Sequence, residues 1–471
     1  MGLMLPPVHS SAPKHKPPLQ DVEFLVLALV AITVVFLAIF TFVYFYFTRD
    51  AGYDFHTAYL GAAQRLMDGQ SPYLPNLLSG PIPAQTGDAY LYPPTFAWLI
   101  TPFLALPRFA ATLSWVWLQI LLVALAVGVA ARAAQAELRP TLVLGLTIAT
   151  LLYIPTFDSL STGNVGMIVA LGMALLLHSA VATDKGGKSA GPIAVVLGVL
   201  ELAPGLVLLP VLAANPRLHL PRALAALAIL TLPFIALNPG AWIDFVRVPF
   251  NLATGNSWYH NNIAPGTVFA YYWPATREFT TLLRIAALAG AGGLLIVSLI
   301  AARRSGGLPA AICAAAAASI LPLGTIWQLY LTALLPGIIF AWLRADWRGR
   351  SALSVGYLLL LVGFFYALPL EAVGMAILMI APVIILWPPH SRAVLAVVDE
   401  NGPLTPIGRQ LRDDPAHAAT RIGQITDESG DEVQMGVTDG LTAGDPHIEP
   451  EIPAVGRQLV SQPLAHRVGQ I

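Results

Sequence analysis

The first long apolar stretch of the chain, residues 22–47, reads VEFLVLALVAITVVFLAIFTFVYFYF. A signal-peptide core has about 7–15 apolar residues, whereas about 20 are needed to cross a bilayer as a helix. No Ala-x-Ala cleavage pattern follows the stretch, so we predict a retained transmembrane helix. Because cytoplasmic segments are rich in basic residues, Lys14 and Lys16 predict a cytoplasmic N-terminus (residues 1–21) and an external position for Thr48.

The overall composition also indicates an integral membrane protein. Of the 471 residues, 56% are hydrophobic and 11% are charged, whereas about 25% of a soluble globular domain is charged. The net charge of −1 hides an uneven distribution, since residues 399–471 contain 12 acidic residues and 5 arginines. No strongly basic surface is left on which nucleic-acid binding could rest. The single cysteine, Cys313, excludes an intrachain disulfide.

Further apolar runs predict an all-α polytopic membrane protein. The runs that we expect to cross a hydrocarbon layer of about 30 Å are 109–131, 139–157, 165–182, 222–237, 279–301, 308–322, 325–343, 352–368 and 371–388. Pro93–Pro107 is apolar but short, and the run 191–213 is interrupted by Glu201–Gly205.

The positive-inside tendency decides how these two segments are threaded. Reading 93–107 as an interfacial helix and 191–213 as a broken hairpin makes every basic cluster cytoplasmic. About twelve membrane helices result if the hairpin counts as two. We expect a membrane domain over residues 22–390, with external loops 48–108 and 238–278. The acidic segment 391–471 has few aromatic residues and is predicted to be a disordered cytoplasmic tail.

The first external loop holds the strongest candidate for catalysis. It begins Arg49-Asp-Ala-Gly-Tyr53-Asp54-Phe-His-Thr-Ala-Tyr59 and continues to Tyr92-Pro-Pro. A carboxylate at the membrane surface beside aromatic rings has its pKa raised by desolvation, which suits a general base for a hydroxyl group. The alternative is that Asp50 or Asp54 merely caps the following helix.

The loop resembles the first external loop of glycosyltransferase family 87. The similarity rests on Asp54-Phe-x-x-x-Tyr59, Gly69-Gln-Ser-Pro-Tyr73 and Tyr92-Pro-Pro before an apolar helix. The resemblance implies a GT-C-like bundle with interfacial helices in this loop, and transfer of a sugar from a polyprenyl-phosphate donor. It also implies that Asp54 is the catalytic base and that Tyr59 and Tyr92 contact substrate.

Three other segments resemble the family with departures. Asn164 stands where the family tends to have Gln, and Glu201 stands at a Lys position. Trp327-Gln328-Leu329 resembles a Trp-x-His stretch in which Leu329 replaces the His. We expect Asn164, Glu201, Trp327 and Gln328 to contact substrate.

A sugar phosphate also needs cations at its leaving group. The candidates for phosphate binding are Arg65, Arg247, Arg277 and Arg284. The alternative for each is snorkelling or pairing with Asp244 or Glu278. The loops contain no Asp-x-Asp and no recognised metal spacing, so we expect no metal and no other cofactor.

The second external loop contains the substrate candidates Asn256, Ser257 and His260, beside two aromatic residues. Such a segment suits a sugar ring and resembles an Asn-x-Ser region of the same family, but it is equally typical of an interfacial aromatic belt. Glu201 is the most unusual ionisable residue, since a carboxylate at membrane depth is costly and is usually functional or paired. Arg284 is the partner that a structural role would use.

The sequence therefore predicts an inverting, metal-independent membrane hexosyltransferase with an external active site. Mannose is implied by the resemblance alone, and the acceptor is a lipid or glycan hydroxyl. We expect a multi-pass protein of the cell membrane with both termini cytoplasmic. The alternatives are a transporter or flippase for a lipid-linked sugar, with Glu201 as a coupling group, and a degenerate family member that acts as a scaffold.

Overall fold

The computed structural model describes residues 52–80, 89–136, 139–183, 185–254, 262–366 and 368–388. The predicted first transmembrane helix (22–47), the candidates Asn256, Ser257 and His260, and the acidic tail lie outside the described residues.

All regular secondary structure in these ranges is helical, as predicted. The α-helices are α1 (Leu60–Met67), α2 (Pro75–Leu78), α3 (Pro94–Ile100), α4 (Arg108–Ala133), α5 (Pro140–Leu151), α6 (Ile154–Thr162), α7 (Gly166–Ala182), α8 (Ala190–Leu200), α9 (Leu208–Ala214), α10 (Pro216–Leu237), α11 (Pro239–Thr254), α12 (Pro265–Tyr272), α13 (Thr280–Ala302), α14 (Leu308–Ile320), α15 (Leu335–Arg344), α16 (Trp347–Tyr366) and α17 (Leu368–Ile385). A π-helical turn covers Phe55–Tyr59, and 3-10 turns cover Thr101–Ala105, Ala203–Val207, Pro274–Phe279 and Gln328–Leu334.

Four helical segments within the described ranges are long and apolar enough to cross a membrane. They are Arg108–Ala133, Pro216–Leu237, Pro274–Ala302 and Trp347–Phe365. The pair formed by Leu144–Leu151 and Ile154–Thr162 is bent by 65° and would make a fifth span. The other apolar helices have 10–17 residues, and the figure of about twelve membrane helices stays a prediction.

The segment 190–214 turns back on itself at the predicted break. α8 ends at Leu200, and the chain returns through the turn Ala203–Val207 into α9. Gly198 and Gly205 face each other so closely that a Cβ on Gly205 would lie 2.6 Å from the Cα of Gly198. The two arms can approach only because both positions lack a side chain. This geometry agrees with the hairpin that the basic residues predict.

The two arms of the hairpin begin and end at the same end of the bundle. α10 follows α9, and its residue His219 lies against Gly191 of α8, with the imidazole Nε2 2.9 Å from the carbonyl oxygen of Lys185. α7 separates this end from Asn164 by 17 residues, or about 25 Å of helix. Lys185 therefore lies at the end of the bundle opposite to Asn164.

The described parts of the two predicted loops meet at the Asn164 end. The Ser71 hydroxyl donates to Oδ2 of Asp244 at 2.7 Å, and the Asn251 amide donates to the Leu77 carbonyl at 2.8 Å. The short helix α3 continues into the 3-10 turn Thr101–Ala105. Together they measure about 20 Å, which is less than a membrane crossing needs. The first loop and α11 thus form one layer over this end of the bundle.

Candidate active site

An aromatic cluster gives the first loop its rigid position. The Phe55 ring stacks on Trp115 of α4 with ring centroids 4.9 Å apart, and Tyr59 meets the ring of Tyr92 edge to face at 5.2 Å. Each such pair contributes about 0.5–1.5 kcal/mol beyond the burial of its area. The remaining rings of the cluster are those of Tyr73, Tyr90, Phe96 and Phe103. The loop is therefore fixed on α4 rather than being an open surface loop.

Asp54 lies at the start of this layer, one residue before the π-helical turn. Its side chain makes no capping hydrogen bond, so the capping alternative does not describe it. The side-chain amide of Asn164 donates to Oδ2 of Asp54 at 3.2 Å. Burial raises the pKa of Asp54 from 3.8 to about 6, although hydrogen bonds from Asn164 and Thr162 act in the opposite direction. The residue is half-buried, and its carboxyl group titrates where a general base is useful.

Asn164 joins Asp54 to two tyrosines. Its amide donates a second hydrogen bond to the Tyr92 hydroxyl at 3.0 Å, and the Tyr59 hydroxyl also donates to Tyr92 at 3.0 Å. Tyr92 thus accepts two hydrogen bonds and keeps its own hydrogen for a further acceptor. Burial, followed by the negative charge of Glu201, raises the pKa of Tyr92 above its ordinary value, so this phenol remains a donor at neutral pH.

The turn between α6 and α7 holds Asn164 in place. Gly163 ends α6 with φ +73°, and its carbonyl accepts the Trp115 indole N–H at 2.6 Å. A Cβ on Gly163 would lie 3.0 Å from the Cα of Gly52 and the Cβ of Phe55. The Asn164 carbonyl accepts from the side-chain amide of Gln119. The conformation that only glycine adopts easily thus brings the first loop onto the bundle.

A cavity of about 390 Å³ is lined in part by Tyr92, and Asp54 is not among its lining residues. Glu201 and Arg284 line it, together with Tyr330, Thr325 and apolar side chains from the hairpin, α11 and α13. No ion pair joins Glu201 to Arg284 among the described residues. Tyr330 lies within electrostatic reach of both Glu201 and Asp54, and Trp327 stacks on it with ring centroids 6.1 Å apart. The cavity therefore combines both charge signs with phenol donors and an apolar wall.

The other predicted residues lie in different surroundings. The Arg65 guanidinium donates to the Pro72 carbonyl at 2.6 and 3.1 Å, and Arg247 lies 3.7 Å from Asp244. Arg277 is exposed in the turn Pro274–Phe279. Of the four predicted phosphate ligands, the structure brings Arg284 to the cavity. Gln328 is buried and does not line the cavity.

Asp158 belongs to the same region and was not predicted. It lies on α6, where its charge and that of Asp54 repel each other, and its carboxylate accepts the Leu329 backbone N–H. The signal in the sequence was a single acidic residue within an otherwise apolar run, which is costly at membrane depth. Asp158 belongs to no motif, so the sequence did not single it out. No group of three metal-binding side chains converges in the part of the chain that the structure describes.

The sequence was compared with known protein families, with curated proteins and with solved structures. The family model that matches is that of glycosyltransferase family 87, over residues 90–325. No curated protein and no solved structure matches the chain. The matched range contains Tyr92, Asn164, Glu201 and Arg284, and Asp54 precedes it.

Proposed function

Because the chain belongs to glycosyltransferase family 87, a family of membrane glycosyltransferases, we propose that it transfers a hexose from a polyprenyl-phosphate donor to a hydroxyl group of a lipid or glycan, with Asp54 as general base. The observation that carries this proposal is the linkage of Asp54 through Asn164 and Tyr92 to the cavity that contains Glu201 and Arg284. This hydrogen-bonded linkage connects a general base to a cavity that suits a sugar phosphate.

The chemistry requires one base and a stabilised leaving group. The acceptor oxygen attacks the anomeric carbon as its proton passes to a carboxylate oxygen of Asp54, and the bond from that carbon to the phosphate oxygen breaks. The phosphate leaves with the electron pair of that bond, and the anomeric configuration inverts because the acceptor oxygen attacks the face opposite to the phosphate. Arg284 stabilises the charge on the leaving phosphate. The base is then restored when Asp54, a half-buried residue, gives its proton up to solvent.

Glu201 and Tyr92 are the groups that we assign to the sugar. A carboxylate accepts hydrogen bonds from neighbouring sugar hydroxyls, and the Tyr92 hydroxyl has a hydrogen left to donate. The cavity volume of about 390 Å³ falls within the range of small-molecule sites. Because Glu201 lies at the break between the two arms of the hairpin, its position is set by backbone geometry and not by a flexible loop.

An apolar groove beside the cavity suits the isoprenoid chain of the donor. It has a volume of about 540 Å³ and is lined by Phe269 of α12, Leu321 and one continuous face of α17. That face extends from Ala372 to Ile384, or about 18 Å along the helix. Leu321 is followed directly by Pro322 and Leu323, which line the cavity. A lipid chain in the groove would present its phosphate close to Arg284.

The test is transfer by the purified protein in lipid vesicles. Radiolabelled polyprenyl-phosphate hexoses, mannose first, are supplied with membrane lipids, and the product is analysed for a new glycosidic bond of inverted configuration. Asp54→Asn should abolish transfer, whereas the matched control Asp68→Asn, an exposed aspartate of the same loop, should retain it. Full turnover by Asp54→Asn would reject the general-base assignment.

One observation favours a second function, transport of a lipid-linked sugar. Transporters bind substrate at interrupted helices near the middle of the membrane, and the hairpin is interrupted beside an acidic residue, Glu201. The same vesicles separate the two functions. Movement of the intact labelled donor across the bilayer without a new glycosidic bond would favour transport.

A further inference from the structure

The segment Trp327–Tyr330, which we name the wall segment, contributes Tyr330 to the lining of the cavity. Trp327 stacks on the ring of Tyr330. The backbone is extended at Trp327 and enters the 3-10 turn Gln328–Leu334 directly afterwards. The position of Tyr330 at the cavity, and of the Trp327 ring stacked on it, thus depends on how the first residues of a short turn are held.

The start of that turn creates backbone donors without internal partners. The first N–H groups of any helix lack a carbonyl from the preceding turn, and the Trp327 side chain supplies no cap. Asn262 binds the chain just before the wall segment, because its Oδ1 accepts the Ile326 N–H at 2.9 Å. Asp158 binds the next part, because its carboxylate accepts the Leu329 N–H. The cap is therefore supplied by α6.

A second carboxylate lies behind the same segment. Glu371, in the first turn of α17, has no exposed surface, and the Gln328 side chain lies next to it. Neither of its carboxyl oxygens has a well-formed hydrogen bond within the described ranges. A Cβ on Gly363 would lie 2.2 Å from the Glu371 backbone nitrogen, so α16 and α17 are packed tightly here. The backbone of Glu371 is therefore held closely against α16.

Placing either carboxyl group within a membrane bundle costs free energy. Asp158 and Glu371 also repel each other. Two apolar side chains would fill the same volume without that cost. What the carboxyl groups add is polar contact with consecutive residues of the wall segment, since Asp158 accepts the Leu329 backbone N–H and Glu371 lies beside the Gln328 side chain.

We propose that Asp158 and Glu371 are positioning residues that hold the wall segment in the geometry that donor binding requires. The inference rests on the proposed function for its meaning, since the donor is the ligand of the cavity. The carboxyl groups contact the wall segment, Tyr330 contacts the donor, and Trp327 supports Tyr330 through ring stacking. Asp158 acts as an acceptor for a backbone N–H, so an uncharged amide in its place serves equally well.

The kinetic test compares conservative with truncating variants. Asp158→Asn and Glu371→Gln keep an acceptor oxygen and should retain the KM for polyprenyl-phosphate mannose, or for whichever labelled donor supports transfer, within about twofold. Asp158→Ala and Glu371→Leu remove it and should raise that KM by about tenfold or more, because a buried N–H or amide is left unpaired, while kcat changes less. An equal loss of kcat in Asp158→Asn and Asp158→Ala would overturn the positioning role and indicate that the Asp158 charge itself is required.

A labelling test needs no enzymatic activity and so separates this inference from the proposed function. Thr325 lines the cavity just before the wall segment, and Cys313, the sole cysteine of the chain, is buried in α14. In Thr325→Cys protein, a soluble maleimide should label residue 325 several-fold faster when Asp158→Ala or Glu371→Leu is also present. Cys313 should stay unlabelled, which excludes general loosening. An unchanged rate at residue 325 in both double variants would overturn the inference.

Discussion

The side-chain amide of Asn164 lies 3.2 Å from Oδ2 of Asp54, and the two residues are 110 positions apart. This contact joins the turn after α6 to the first loop and stabilises the charged form of the carboxyl. Asn164→Ala should therefore raise the pKa of Asp54 further and lower transfer about tenfold at pH 6, because a hydrogen bond to a charged group is lost. The deficit should shrink at pH 8. Asn76→Ala, at an exposed site of the first loop, should behave like the parent, and a deficit that is equal at both pH values would contradict this reading.

Transfer should depend on pH through the ionisation of Asp54. A general base must be deprotonated, and burial raises the pKa of this carboxyl to about 6. The rate at subsaturating donor should therefore rise with pH through about 6 and fall away below it. The measurement is a pH profile of initial rates in vesicles with equal internal and external buffer. An acid limb near 4, the range of an ordinary aspartate, would show that another group is titrating.

Asp54→Asn should stabilise the protein at pH 8 although it abolishes transfer. A raised pKa means that the folded state favours the protonated acid, so this group stabilises the fold below pH 4 and the contribution is lost as the pH rises through about 6. The Asn side chain of the variant does not ionise, so at pH 8 the variant keeps this contribution of about 1–3 kcal/mol to the free energy of unfolding. We expect a higher Tm than the parent at pH 8 and little difference at pH 4. A lower Tm at pH 8 would mean that the carboxylate is stabilised by groups other than Asn164 and Thr162.

Arg284→Gln should weaken donor binding more than the substitution of an exposed arginine away from the cavity. Its guanidinium lies at the cavity, and loss of a charge-assisted contact to phosphate costs about 1.5–3 kcal/mol, which is at least tenfold in kcat/KM. Arg348→Gln, exposed at the start of α16, provides the control and should leave kcat/KM within about twofold. Equal effects of both substitutions would indicate general membrane electrostatics.

Gly163→Ala should lower the stability of the whole site. The residue has φ +73°, and the new Cβ would lie 3.0 Å from Gly52 and Phe55. Gly69 is the matched control, because its φ is +72° but nothing lies within 4 Å of an added Cβ. Gly69→Ala should cost about 1 kcal/mol for its backbone conformation alone. Gly163→Ala should lower Tm clearly more, and equal losses would show that the first loop yields to the added methyl group.

Much of the architecture could be predicted from the sequence because hydrophobicity and proline and glycine signals are local. The helical class, the short segment 94–105 and the break at Glu201 follow from run lengths and interruptions. The number of membrane helices could not be obtained in this way, because an apolar helix of 10–17 residues satisfies both a tilted span and a buried core element.

The sequence predicted the helices better than it predicted which residues form the site. Asp54, Tyr59, Tyr92 and Asn164 came from a likeness to a family, and the structure groups them. Arg65 and Arg247 were as good candidates from the sequence as Arg284. In the structure, Arg65 binds a carbonyl oxygen of its own loop, and Arg247 pairs with Asp244. Asp158 and Glu371 were overlooked because each is a lone acid in an apolar run, without a motif.

The sequence by itself determined that this is a helical membrane protein with a base candidate at the start of its first loop, since the preference of apolar side chains for lipid is read residue by residue. Only the tertiary structure decided which polar groups meet. Asp54, Tyr92, Asn164 and Glu201 lie in four separate segments. Their meeting depends on glycine contacts such as Gly163 with Gly52 and Gly198 with Gly205, because close backbone approach is a property of two segments together, and neither segment shows it alone.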